Sequence, residues 1–119
     1  MAESTEVGEL AAATLKSWLD RGEPLVVLDV RENHERDYAR IALPPGVADL
    51  HIPLGQIPAR VDEVEDQARR HSLVIYCHHG QRSMVAATWL ARQGVGNIHN
   101  LDGGIDAWSI LVDRAVPRY

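Results

Sequence analysis

Cys77 is the only cysteine among 119 residues, and it stands where two unlike stretches meet, LVIYC and HHGQRSMVAA. A β-prone apolar run ends at the thiol. His78, His79, Gly80, Gln81, Arg82 and Ser83 follow, and then a helix-like pattern begins. A cysteine that ends a buried strand sits at the rim of a sheet rather than in mid-core. Gly80 permits a positive φ or a close backbone approach to a ligand. A helix beginning near Ser83 turns unpaired N–H donors and a partial positive charge toward the same place. Arg82 adds a permanent cation. All three features stabilise an anion, and the thiolate is the nucleophilic form of cysteine. The junction therefore predicts a reactive thiolate.

Two plainer readings compete. A lone cysteine often serves as a small buried hydrophobe, but such a residue needs no polar, glycine-containing turn after it. Cys77, His78 and His79 also suggest a metal site. Consecutive residues do not easily surround one tetrahedral centre, and zinc motifs leave gaps between ligands. His34, His51, His71 and His99 are scattered along the chain. No metal and no cofactor are expected.

The elements that must position the thiol are readable from periodicity. Ala11, Leu15, Trp18 and Leu19 lie on one face of a helix predicted over residues 9–21, which stops at Gly22. PLVVLDV reads as a buried strand, and ENHERDYAR as a short helix. ALPPGVADLHIPL is mostly loop, with a short strand near His51 and Ile52. IPARVDEVEDQARR is helix-compatible. LVIYC is the second strong strand. SMVAATWLARQ is a helix ending at Gly94, apolar around most of its circumference and so expected to pack on more than one side. NIHNL is a final strand and GGIDAWSILVDRA a final helix. Strands alternating with helices predict an α/β fold: a central, mostly parallel sheet of about five strands with helices on both faces. Ligands of such sheets bind beyond the carboxyl ends of the strands. That rule selects Cys77, and also Asp29 and Arg31 at the end of VVLDV.

Composition sets the frame. Hydrophobic residues are 45% of the chain and charged residues 24%, as in a globular domain. The net charge of −5 argues against a nucleic-acid footprint. No run approaches the length of a membrane span, and the N-terminus lacks a basic-then-apolar signal pattern. With a single cysteine, these features predict a cytoplasmic monomer: a flexible tip over residues 1–8 and one domain over residues 9–119.

The order of the motifs resembles the rhodanese-like sulfurtransferases. Cys77 to Arg82 follows the C-x-x-G-x-R pattern of that family's active-site loop. LDVRENHE is similar to its D-V-R-E signature, and NLDGGIDAWS to its late signature, through Gly103, Gly104, Ile105 and Trp108. RIALPPGVADLHIPL and the closing VDRAVPRY resemble a subgroup found alone or fused to enzymes that adenylate sulfur-carrier proteins. Many members of the family carry G-H-I-x-G-A where this chain has the first of these stretches, and the extra proline leaves the pocket edge from Pro44 to Asp49 open.

The resemblance implies a Cys77 persulfide, formed from a small anionic donor such as thiosulfate and discharged to a thiol or a sulfur-carrier protein. His78, His79, Gly80, Gln81, Arg82 and Ser83 form the binding loop. Asp29 and Arg31 support it, and Arg82 either binds the donor or braces the loop. Gly103, Gly104 and Trp108 serve turns and packing. Phosphatases of the same fold place five residues between cysteine and arginine; this chain has four, which argues against a phosphatase or arsenate reductase. A non-catalytic interaction module is the remaining alternative.

Overall fold

The apolar runs of the sequence are carried into one parallel sheet. In the computed structural model, which describes residues 6–119, the strands are β1 (Gly8–Leu10), β2 (Leu25–Asp29), β3 (Ala48–His51), β4 (Ser72–Tyr76) and β5 (Ile98–Leu101). The helices are α1 (Ala12–Asp20), α2 (Asn33–Tyr38), α3 (Val61–Ala68), α4 (Gln81–Arg92) and α5 (Gly104–Leu111), with 3-10 turns at Leu54–Gln56 and Pro58–Arg60. The strand order is β1-β5-β4-β2-β3, and all four neighbouring pairs are parallel. β4 is central, so both its faces are covered, which is what its continuous apolar sequence requires.

Alternation along the strands divides the core in two. Val26 and Leu28 of β2 join Leu73 and Ile75 of β4 on one face, against Val64 of α3 and Ala86, Ala87 and Leu90 of α4. Leu25 and Val27 join Val74 and Tyr76 on the other, against Leu15 and Leu19 of α1 and Ile105 and Trp108 of α5. A period of two in the strands thus meets the helical period of the flanking layers.

Several sequence expectations shift. β1 begins at Gly8, the last residue of the tip expected to be flexible; residues 1–5 of that tip lie outside the described residues. β1 also occupies Glu9 and Leu10, so α1 begins only at Ala12. Ala12 is buried in place of Ala11, which is the exposed residue preceding the helix. α4 buries one face only: Ser83, Ala86, Ala87, Leu90 and Ala91 point inward, while Val85 is 60% exposed. Among the described residues, no helix is long and apolar enough to cross a membrane.

Register brings two strand ends together. Asp29 pairs with Tyr76, and the Val30 N–H donates to the Tyr76 carbonyl at 3.1 Å. The Asp29–Arg31 segment therefore lies beside the end of β4 that leads into Cys77. Asp29 and Arg31 are both fully buried. Arg31 Nε donates to Asp29 Oδ1 at 2.9 Å and Nη2 to Oδ2 at 2.8 Å, while Nη2 also reaches the Ala39 carbonyl at 2.6 Å. Removing one partner of a buried ion pair costs about 3–5 kcal/mol because it strands the other charge. Asp29→Ala is expected to lose that much in urea unfolding. Asp20→Ala, which breaks the exposed Lys16–Asp20 pair, is expected to change stability by less than about 1 kcal/mol.

Candidate active site

Cys77 follows β4 directly and is 1% exposed. Two donors reach its sulfur: the Gly80 N–H at 3.1 Å and the Ser83 hydroxyl at 3.3 Å. Gly80 immediately precedes α4 and has φ of +108°, a left-handed backbone that side-chain-bearing residues rarely adopt. The turn and the start of α4 thus cooperate at the sulfur, as helix N-termini do for anions.

The other side of the loop is held by α5. Ile105 N–H donates to the Cys77 carbonyl at 2.9 Å, and Asp106 N–H to the His78 carbonyl at 3.1 Å. This close approach depends on Gly104. A Cβ there would lie 2.5 Å from the Cys77 carbonyl oxygen and would also collide with the His78 carbonyl. Gly104 is therefore the steric condition for docking α5 on the loop.

The side chains of the loop have separate duties. Ser83 Oγ lies 2.5 Å from Asn100 Oδ1, and Asn100 Nδ2 donates to Glu9 Oε1 at 2.9 Å and to the Gly80 carbonyl at 3.2 Å. Arg82 makes a two-pronged pair with Glu35, at 2.6 and 2.9 Å. Between the two roles considered for Arg82, this geometry is that of a brace. The Tyr119 hydroxyl donates to Glu35 Oε2 at 2.8 Å and accepts from Arg31 Nη1 at 2.9 Å. Its ring stacks on His78 with centroids 3.8 Å apart and planes within 6°, and His78 in turn stacks on His79. Burial, together with His79, holds His78 below the ordinary imidazole range. Gln81 is exposed on the first turn of α4.

Asp29 and Arg31 do not touch the sulfur; they join the loop through Tyr119 and Glu35. The Pro44–Asp49 stretch runs into β3, and Asp49 pairs with Arg36 at 3.0 Å. His78, His79 and Asp106 also bring ligand-type atoms within 4.8 Å of one another. Their meeting depends on α5, which carries Asp106 to the two adjacent histidines. Asp106 is already engaged by Arg118, at 2.9 and 3.3 Å.

The sequence profile of the rhodanese-like domain matches residues 11–111. The chain belongs to the rhodanese-like domain family. It is 34% identical over 103 residues to a protein of Allochromatium vinosum named a sulfurtransferase, covering 87% of this chain and 89% of that one. It is 30% identical over 114 residues to an adenylyltransferase and sulfurtransferase of Zea mays, covering 96% of this chain and 23% of that one. A solved structure of a rhodanese-related protein from Thermoplasma volcanium superposes with a TM-score of 0.71 at 28% identity, covering 92% of this chain and 95% of that one. The chain spans only 53% and 42% of the lengths of two further relatives, from Bacillus subtilis and Bordetella petrii.

Four residues of this rhodanese-like domain's site escaped the sequence reading: Glu35, Asn100, Asp106 and Tyr119. Glu35 left a trace, since Glu32 and Glu35 have capping-box spacing and form one at the start of α2. Tyr119 left none.

Two tests follow from this geometry. Gly104→Ala is expected to lose about 2–4 kcal/mol in urea unfolding and to change the rate of Cys77 alkylation by iodoacetamide. The second concerns acid. Arg82 holds the Glu35 carboxyl down to about 2 from an ordinary 4.5, against the opposing effect of burial. A folded-state pKa below the unfolded value contributes stability that is complete above 4.5 and lost as pH falls toward 2. Glu35→Gln is expected to be less stable than wild type at pH 7, with the difference shrinking across that window, as read from urea midpoints.

Proposed function

We propose that this domain is a sulfurtransferase that carries one sulfane sulfur on Cys77. The observation that supports this most directly is the pairing of the Cys77 sulfur with the Gly80 N–H and Ser83 hydroxyl, on a loop whose first two carbonyls are tied to α5. The relatives named sulfurtransferases point the same way.

In the proposed cycle the Cys77 thiolate attacks the outer sulfur of a sulfane donor, for which thiosulfate is the simplest assay reagent. The donor's sulfur–sulfur bond breaks, its electron pair leaves with sulfite, and Cys77 becomes a persulfide. A second nucleophile then attacks the outer persulfide sulfur and releases the Cys77 thiolate. Cyanide serves in an assay; a thiol, free or on a sulfur-carrier protein, serves in the cell. This is covalent catalysis in two displacements, with the Gly80 N–H as the fixed donor at the sulfur. The single cysteine of the chain suits this cycle, which uses no resolving thiol of its own. Four residues between Cys77 and Arg82 make a tighter ring than a phosphoryl group suits.

Intact-mass spectrometry tests the reading. Incubation with excess thiosulfate is expected to add the mass of one sulfur atom, which cyanide removes and which Cys77→Ser never acquires. A protein that stays unmodified by several sulfane donors yet hydrolyses an aryl phosphate would overturn sulfur transfer.

A further inference from the structure

The arginines gathered around the loop are all engaged by carboxylates. Arg82 gives both terminal nitrogens to Glu35. Arg31 is buried against Asp29, Arg36 bridges Asp29 and Asp49, and Arg118 pairs with Asp106. His79 also faces Asp106, at 3.8 Å. His78 is held toward its neutral form by burial. The cavity of about 400 Å³ on the β1 side of the loop is edged by Glu9 and Asp102. Among the described residues, no lysine or arginine lines it.

The Gly80 N–H and Ser83 hydroxyl already serve the sulfur itself. An incoming thiosulfate would add two negative charges beside the thiolate, and two would have to leave with sulfite. Like charges at close range repel strongly unless a cation is free to separate them. Glu35 also accepts the Glu32 N–H and the Tyr119 hydroxyl, so it is itself fixed in the position that occupies Arg82.

We propose that Glu35 is a specificity-determining residue: by holding Arg82 it withholds that cation from the donor, and the site favours persulfides with an uncharged body over thiosulfate. The proposal rests on the sulfur-transfer reading and narrows its donor class. The favoured step balances simply. The Cys77 thiolate attacks the terminal sulfur of R–S–SH, the donor's sulfur–sulfur bond breaks, and R–S⁻ leaves with its electron pair. Cys77 retains the transferred sulfur as Cys–S–SH.

The test is single-turnover loading of Cys77, followed by intact mass, with thiosulfate and with 2-hydroxyethyl persulfide. Each second-order rate is divided by that donor's rate with a free alkyl thiolate in solution. This normalisation removes intrinsic reactivity. Wild type is expected to prefer the persulfide by roughly tenfold or more after normalisation. Glu35→Gln is expected to raise the thiosulfate-to-persulfide ratio by roughly tenfold, through a lower half-saturating thiosulfate concentration. It should also make thiosulfate loading weaken with added salt, as attraction to an unpaired cation requires. Glu35→Gln combined with Arg82→Met removes both charges and strands neither. If Arg82 is withheld in the wild type, this double variant keeps the wild-type ratio of the two donors. A selective loss of thiosulfate loading in the double variant, or equal normalised rates in wild type, overturns the proposal. Absence of loading from both donors overturns sulfur transfer itself and is thereby distinguished from failure of the donor preference.

Discussion

The carbonyls of Cys77 and His78 are bound to the first N–H groups of α5, and this constraint governs what the site is able to be. A carbonyl dipole directed at the sulfur would oppose a negative charge there. With both carbonyls engaged, the turn is free to aim the Gly80 N–H at the sulfur instead. The two helix N-termini therefore divide the work: α5 holds the peptide groups and α4 faces the thiol. Gly104 permits the contact, and burial of Ile105 and Trp108 anchors α5 against the sheet. The core thus fixes the loop through backbone geometry, which tolerates little drift.

The charged groups make a second, connected frame. Asp29 holds Arg31, Arg31 meets the Tyr119 hydroxyl, Tyr119 meets Glu35, and Glu35 holds Arg82. Burying such pairs is a poor route to stability, because desolvation offsets most of the attraction. Their geometric effect is clearer. The chain ties the end of β2, helix α2 and the final residue to the first turn of α4. Glu35 illustrates the economy of this arrangement: it caps α2, accepts from Tyr119 and clasps Arg82. Tyr119 adds a packed surface over His78 and itself packs against Tyr38 of α2.

What the sequence made legible follows from how information is carried. β2 and β4 are runs of apolar residues buried on both faces, and such runs announce themselves. Cys77, Gly80 and Ser83 are contiguous, so one stretch revealed their relation. β1 carried no such signal: it has three residues, only Leu10 is buried, and it is held by pairing with β5. α4 misled in the opposite sense, because its apolar Val85 projects to the surface. Partners distant in sequence were the least legible. Asn100 lies 17 residues from Ser83 and Tyr119 lies 84 from Glu35, and no local pattern records either contact. The role of Arg82 turned on a partner 47 residues away, so the loop alone left bracing and donor binding open.

Ser83 links these frames to the state of the sulfur. Its hydroxyl has one hydrogen and lies within reach of both Asn100 Oδ1 and the Cys77 sulfur. The Asn100 amide is oriented by chemistry: turned over, its oxygen would face the Glu9 carboxylate and the Gly80 carbonyl. Asn100 therefore always presents an acceptor to Ser83. When Cys77 is a thiol, its own hydrogen satisfies Ser83 Oγ and the serine hydrogen goes to Asn100. When Cys77 is a thiolate, the sulfur only accepts, and the serine hydrogen is contested between them. In a persulfide the charge moves outward by one sulfur–sulfur bond, about 2 Å. The inner sulfur then competes weakly, and the hydrogen returns to Asn100. In the proposed cycle the same two acceptors thus favour different hydroxyl orientations before and after sulfur is loaded.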